Sequence, residues 1–419
     1  MKKIILLIAV SFLGTIALAQ GVNIRMGKNM YQEKRYKRAA DYFDAAVENE
    51  KTRDSVEAWY WRGKAYVQLA STDSSEYSRY YVQNATKSFI KTLELQPDYN
   101  AEINTFMHST AVLSYNVGVK NFQKKSYTPA YEDFMRVVTL YNAGDGKRFL
   151  SNAAFTAIIP DAKTNAAYAA ENDNRPADAQ PLFEDVIKTK KDANVYQALI
   201  ELYQKQNKND EMFALIKDAK KQFPTNKTFR DLELNYYINS GKQNELLPLL
   251  EAAVKQEPNS PELQFNLANA YMSVTFPIDA NGNPLPAPPN FKDLFLKTEN
   301  AYKKAVKLKP EEADYNYNTG ILYYTNASAF NRQLSEIIGT SPAENKKAND
   351  LTALRNAEFN KGLPYFEKSY SILDAKAGSL SDNEKVTYRN TLIGLKEIYS
   401  RVNKKAKAEE VQKKLDALN

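Results

Sequence analysis

Tyr203, Tyr237 and Tyr271 recur at one interval of 34 residues, and the pairs Ala219/Ala253 and Pro224/Pro258 keep the same interval. Coincidences of this kind within one chain mark tandem repetition of a two-helix unit. Each unit is too small to bury its apolar face alone and must stack on its neighbours. Chains built this way form open solenoids whose extended surfaces suit other proteins better than catalysis.

The chain has 419 residues, 43% of them hydrophobic and 12% aromatic, with 28 tyrosines and no cysteine. That apolar content is enough for a large core. The missing cysteine removes disulfides, thiolate metal sites and cysteine nucleophiles, and also the cysteine that a lipid-anchored bacterial lipoprotein requires. The N-terminus predicts a signal peptide over residues 1–19. Lys2 and Lys3 form a basic start, Ile4 to Val10 and the apolar residues through Leu18 a short hydrophobic stretch, and Ala17-Leu18-Ala19 a cleavage site that leaves Gln20 first. The stretch is shorter than the roughly 20 residues that span a bilayer, and no later segment is apolar enough to do so. The formal charge of +7 is modest for this length, and lysines alternate with acids as on solvated helix faces. Nucleic-acid binding is not implied.

The period extends over the mature chain. Gly27, Ala39, Phe43 and Ala46 keep the spacing of Gly118, Ala130, Phe134 and Val137, and of Ala167, Ala179, Phe183 and Val186. A small residue on the first helix of a pair (helix A) lets the second (helix B) approach. The alanine on helix B faces it, and the phenylalanine four residues later shares that face. A second unit carries Trp59, Gly63, Tyr66, Ala85, Phe89 and Pro97. Later units carry Tyr196, Leu199, Tyr203 and Ala219; Tyr237 and Ala253; Tyr271 and Ala305; Gly320 and Tyr323, resuming near Phe366; and Tyr388 to the C-terminus.

This pattern resembles the tetratricopeptide repeat, whose signature runs W-x2-L-G-x2-Y, A-x3-F and a proline. The resemblance implies an all-α fold, a right-handed superhelical solenoid of about nine helix-turn-helix (TPR-like) repeats, with N-terminal repeats over 20–226 and C-terminal repeats over 227–419. It also implies a non-enzymatic scaffold with protein or peptide partners. Some family members clamp a C-terminal carboxylate with lysine and asparagine. Ile24, Lys28 and Trp61, which align with that clamp here, do not reproduce it. The Ala-Gln cleavage site, the Tyr/Asn/Lys-rich composition and the repeat together resemble exported proteins of the Bacteroidota. The implied setting is the periplasm of a Gram-negative envelope, with secretion or outer-membrane association as the lesser alternatives. Two other readings stay open: a glycan-binding accessory of an outer-membrane uptake system, and a structural subunit of a secretion or motility machine. The charged residues from Lys404 to Leu418, with a thin apolar stripe, suit a terminal capping helix.

Three insertions separate helix A from helix B of one unit: Ser71–Tyr80, Ser273–Phe291 and Thr325–Arg355. Such turns project from one edge of a solenoid and often mark a binding face. Within the second, Asn281-Gly282 predicts a tight hairpin turn. Asp279, Asn281 and Asn283 echo a calcium loop, but Pro284 stands where its glycine belongs and Asn290 where its acid belongs.

The other candidate surface is the concave face of the A helices. There the pattern places Tyr60, Lys64, Tyr115, Phe122, Tyr168, Gln197, Glu201, Asn235, Phe265, Asn269, Tyr317 and Tyr324. Asparagine side chains donate and accept, so a row of them can hold a peptide backbone without reading its sequence. The tyrosines serve equally well as packing between repeats. No catalytic residue, metal site or cofactor is assigned. His108 stands alone, Asn142–Lys147 lacks phosphate-loop spacing, and acid pairs such as Glu311-Glu312 read as solvated.

Overall fold

The computed structural model describes residues 21–72, 78–144 and 146–418, so the expected signal peptide and residues 73–77 of the first insertion lie outside the described residues. Among the described residues eighteen α-helices run in nine consecutive A–B pairs. The pairs are α1 (Val22–Gln32) with α2 (Tyr36–Glu48), α3 (Val56–Thr72) with α4 (Ser78–Leu95), α5 (Glu102–Gln123) with α6 (Tyr127–Tyr141), α7 (Ala153–Asn172) with α8 (Pro176–Thr189), α9 (Ala193–Lys205) with α10 (Asn209–Gln222), α11 (Lys227–Asn239) with α12 (Gln243–Gln256), α13 (Pro261–Thr275) with α14 (Phe291–Leu308), α15 (Ala313–Ser335) with α16 (Pro342–Asp374), and α17 (Asp382–Arg401) with α18 (Lys405–Asp416). The chain is an all-α helical-repeat solenoid in class. It forms two compact units, one ending at Phe229 and the other beginning at Arg230, a division that falls inside α11.

Most successive helices pack on one another, and several A helices also meet helix A of the next pair, as α1 meets α3 and α15 meets α17. The recurrent contact is glycine against phenylalanine. A Cβ added to Gly27 would lie 2.7 Å from the Phe43 ring, one on Gly63 2.5 Å from Phe89, one on Gly118 2.9 Å from Phe134 and one on Gly320 2.7 Å from Phe366. The glycine's nearest neighbour is thus the ring itself. Gly394, which the repeat pattern does not single out, closes on the other side of Phe366 at 2.8 Å.

Turn chemistry separates plain repeats from inserted ones. Six A–B turns carry a left-handed residue: Lys34, Lys125, Asn174, Asn207, Gly241 and Asn403, with φ between 56° and 64°. Each is followed by a backbone N–H that reaches back to the last turn of helix A, as Lys208 N does to Tyr203 O (2.9 Å) and Lys404 N to Tyr399 O (2.7 Å). These bonds satisfy carbonyls that a helix end leaves bare. The other three A–B connections hold the insertions.

The third insertion is mostly helix. It lengthens α15 to 23 residues and α16 to 33, leaving only a short link at Glu336–Ser341. Ser341 and Glu344 form a reciprocal cap at the start of α16, Glu344 N donating to Ser341 Oγ (3.3 Å) and Ser341 N to Glu344 Oε2 (2.9 Å). Ser381 and Glu384 repeat the device at α17. Lys376, followed by the Ser381 N–H and hydroxyl, holds the Glu384 carboxyl at about 2 against an ordinary 4.5. A depressed carboxylate pKa contributes stability above the unfolded value, and that contribution is lost as pH falls through the folded one. The α17 cap therefore weakens only below pH 4.5 and towards 2. Ser381→Ala is expected to cost about 1 kcal/mol and to raise the Glu384 midpoint. Urea unfolding and carboxyl-resolved NMR check both effects; an unmoved midpoint contradicts the assignment.

The terminal helix docks. Val411 is buried, Lys414 Nζ lies 2.6 Å from Asp374 Oδ1, and Lys407 Nζ lies 3.3 Å from Glu367 Oε1.

Candidate functional site

In the N-terminal unit Tyr60 and Lys64 are turned inward, Tyr115, Phe122 and Tyr168 are half-buried, and Gln197 and Glu201 are exposed. Tyr60 and Lys64 are 4% and 8% exposed. Tyr60 OH donates to Glu102 Oε2 (2.7 Å), and Lys64 Nζ sits 3.1 Å from Glu102 Oε1. The same ammonium lies over the rings of Trp61 (4.4 Å), Phe106 (4.7 Å), Tyr60 (5.3 Å) and Tyr31 (5.6 Å). Burial first, then the Glu102 carboxylate, pushes the Tyr60 phenol far up. The Tyr60 and Lys64 bonds hold the Glu102 carboxyl below its usual range. This cluster joins α3 to the first turn of α5, where an acid also faces the positive helix end. Tyr115 accepts from Asn165 Nδ2 (2.8 Å) and meets Phe134 edge-on. Phe122 meets Tyr127, Tyr168 meets Phe183, and Gln197 Nε2 donates to Glu201 Oε1 (2.9 Å).

In the C-terminal unit Asn235 is exposed. Phe265 stacks on Tyr315 with centroids 4.5 Å apart. Asn269 is exposed, and its Oδ1 accepts from Tyr302 OH (2.6 Å). Tyr317 meets Phe366 edge-on, and Tyr324 OH donates to Glu397.

The repeated tyrosines have a further role. Tyr66 OH donates to Asp44 (2.7 Å), Tyr203 OH to Glu184 (2.8 Å), Tyr399 OH to Glu367 (2.7 Å) and Tyr271 OH to Glu251. Each acid sits on helix B of the preceding pair, directly after the residue in the phenylalanine position: Phe43, Phe183, Leu250 and Phe366. Burial and then the acid raise all four phenols well above their ordinary value. A hydroxyl kept protonated is the donor that such a charge-assisted bond needs.

The second and third insertions meet. A cleft of about 590 Å³ opens between α13, the loop after it and the lengthened α15. Met272, Phe276, Phe291 and Tyr302 line its base, Ile278, Pro284 and Leu285 one wall, and Asn326, Ala329, Phe330, Arg332 and Gln333 the other. The loop wall is a hairpin. Ile278 bridges Pro284, Asp279 N donates to Asn283 O (2.9 Å), and Leu285 N donates to Pro277 O (2.9 Å). Its turn residue Gly282 has φ +82°, a region open to glycine. The Asp279 carboxylate is held by its own turn, accepting from Asn281 N and Asn283 N (both 2.8 Å) and Asn283 Nδ2 (3.1 Å). The Asn283 backbone bond leads in pulling its pKa down. The residues that echo a calcium loop thus build a turn. Among the described residues no cluster of three or more His, Cys, Asp or Glu is placed to hold a metal ion.

Ile278 and Leu285 are 63% and 47% exposed at the cleft mouth. Volume, apolar lining and a few polar groups match what small ligand or side-chain sites use. Asn269 is the one residue of the expected groove set that also lines this cleft.

The fold and the glycine–phenylalanine stacking define a helical-repeat protein, a class typically non-catalytic and used to bring proteins together. Residues 25–87 match the tetratricopeptide repeat family model. No curated protein matches the chain. Similar solved structures include the C-terminal part of a TPR repeat-containing protein from Cytophaga hutchinsonii (TM-score 0.46, 14% identity, 73% of this chain and 95% of that one). A TPR repeats protein from Bacteroides fragilis (TM-score 0.28, 17% identity, 67% and 97%) and MamA from Desulfovibrio magneticus (TM-score 0.31, 15% identity, 47% and 96%) are also similar. No helix among the described residues is long and apolar enough to cross a membrane.

Proposed function

We propose that the chain is a non-enzymatic interaction scaffold of the bacterial cell envelope that holds a protein partner at the edge built by its insertions. The observation that carries this reading is the meeting of two insertions, from successive repeats, around one cleft. A repeat needs neither insertion to stack, as the six plain turns show. Export is supported by the basic start at Lys2 and Lys3, the apolar stretch and Ala17-Leu18-Ala19. A protein partner is favoured because a repeat array offers side chains over a long extended surface.

The test is in-cell crosslinking of the tagged full-length chain, with mass spectrometry of the captured species and N-terminal sequencing of the fractionated protein. The expected result is one stoichiometric envelope protein, lost when Ala329→Trp fills the cleft and retained with Asn235→Ala, on a chain that begins at Gln20. Capture unaffected by Ala329→Trp but lost with Asn235→Ala moves the site to the concave face. An uncleaved cytosolic chain contradicts the envelope setting.

A further inference from the structure

The cleft also carries information about the chemistry of its occupant, an inference that rests on the scaffold reading above. Arg332 is the only charged residue among the described residues that line it. Among the described residues its guanidinium has no ion-pair or hydrogen-bond partner, although most other arginines are bound to acids or amides. Asp279, in the hairpin that forms the loop wall, is held by three donors of its own turn. The cleft therefore keeps an uncompensated positive charge beside an apolar base.

Its shape is directional. Asn318, Asn326 and Gln333 lie along one stripe of α15 and all border the cleft. Between Asn318 and Gln333 the helix rises about 22 Å, at 1.5 Å per residue. That matches six to seven residues of extended chain at about 3.3 Å each. The Asn326 and Gln333 amides have no partner among the described residues, and each can both donate to and accept from a backbone. Phe276, Phe330 and Leu285 leave room for a large apolar side chain between them.

We propose that the cleft binds an extended acidic peptide segment of its protein partner. An apolar side chain of that segment enters against Phe276 and Phe330, its backbone runs along the amide stripe, and a carboxylate pairs with Arg332. Apolar burial supplies most of the affinity. The exposed ion pair sets direction and sign, as charges at a rim usually do.

Two fluorescein-labelled octapeptides test this on the full-length protein by fluorescence anisotropy. Both centre on Leu-Phe; one flanks it with glutamates, the other with lysines. The acidic peptide is expected to bind at least about fivefold tighter at low salt, a ratio in the range of one exposed ion pair. Arg332→Glu is expected to reverse the preference, and Ala329→Trp to abolish binding of both peptides while the helical circular dichroism is unchanged. Equal affinity for the two peptides, or a preference that Arg332→Glu leaves intact, overturns the proposal. If the in-cell partner is lost with Ala329→Trp yet neither peptide binds, the acidic-peptide chemistry is wrong and the scaffold reading stands. If the acidic peptide binds as expected but no cellular adduct depends on the cleft, the scaffold reading fails on its own.

Discussion

Asp133→Ala is expected to destabilise the N-terminal unit by about 3–5 kcal/mol, the cost of breaking a buried ion pair from one side. The Asp133 side chain is 0% exposed. Its carboxylate accepts from both Arg79 Nε (3.1 Å) and Arg136 (2.5 Å), and from Asn121 Nδ2 (2.7 Å). Arg79 comes from α4, Asn121 from α5, and Asp133 and Arg136 from α6. The cluster therefore binds the second repeat to the third. Removing the acid leaves the Arg136 guanidinium, 12% exposed, without its acid, and leaves Arg79, 28% exposed, with Glu132 alone. Replacing all three charged groups, as in Arg79→Met/Asp133→Leu/Arg136→Met, is expected to recover most of the loss, because apolar groups of similar volume often replace a buried ionic cluster without penalty. Urea unfolding of the three proteins checks both statements. A loss below about 1 kcal/mol for Asp133→Ala would show that water reaches the cluster.

Gly63→Ala is the second large effect. Helix propensity alone predicts a gain of up to about 1 kcal/mol, since glycine is the poorer helix former. The structure predicts the opposite sign. The new Cβ would sit 2.5 Å from the Phe89 ring, and Phe89 is 0% exposed, with no free space to move into. Overpacking of this kind costs about 1–3 kcal/mol and exceeds the propensity gain. Gly63→Trp is expected to disrupt the second repeat outright. Paired variants decide the cause: Phe89→Leu is expected to rescue part of the Gly63→Ala loss in a double-mutant cycle. An unchanged melting curve for Gly63→Trp would place this glycine away from the helix contact.

Much of the fold is legible in the chain because its determinants repeat. One interval links Tyr203, Tyr237 and Tyr271, and another spacing links Gly27, Gly118 and Ala167 on helix A to Phe43, Phe134 and Phe183 on helix B. Those two patterns set the two-helix unit, and the inserted units are read from the same residue types at stretched spacings. Other features were written just as plainly but are harder to weigh. Asp44, Glu184, Glu251 and Glu367 each follow the residue in the phenylalanine position, yet an acid on a helix normally reads as solvated. Its use as an acceptor for a tyrosine of the next repeat depends on how two repeats stack. Ser341-Pro342-Ala343-Glu344 is a helix start in sequence terms, and it shows that the third insertion is helix more than loop.

The site was less legible. Tyr60 and Lys64 carry the residue types of a binding face, but the Glu102 carboxylate binds both, and the rings of Trp61, Phe106 and Tyr31 surround the Lys64 ammonium. Which acid meets which helix is set by three-dimensional packing and leaves no local trace. The cleft is harder still. Its two walls come from segments separated by a whole helix, and only the fold sets the loop after α13 against the lengthened α15. The lysines of the left-handed turns, Lys34 and Lys125, carry no marker either. Asparagine and glycine announce that conformation, whereas lysine adopts it only when the surrounding helix ends require it.

The measurement that tests the insertion-edge site most directly is site-specific photocrosslinking in living cells. A benzophenone amino acid replaces Gln333 at the cleft rim in one strain and Asn235 in another, in the full-length chain. One dominant protein adduct is expected from position 333, abolished by Ala329→Trp, and none of comparable yield from position 235. The reverse pattern, with the adduct at 235 and only solvent quenching at 333, would contradict the insertion-edge site and return the partner to the concave face of the A helices.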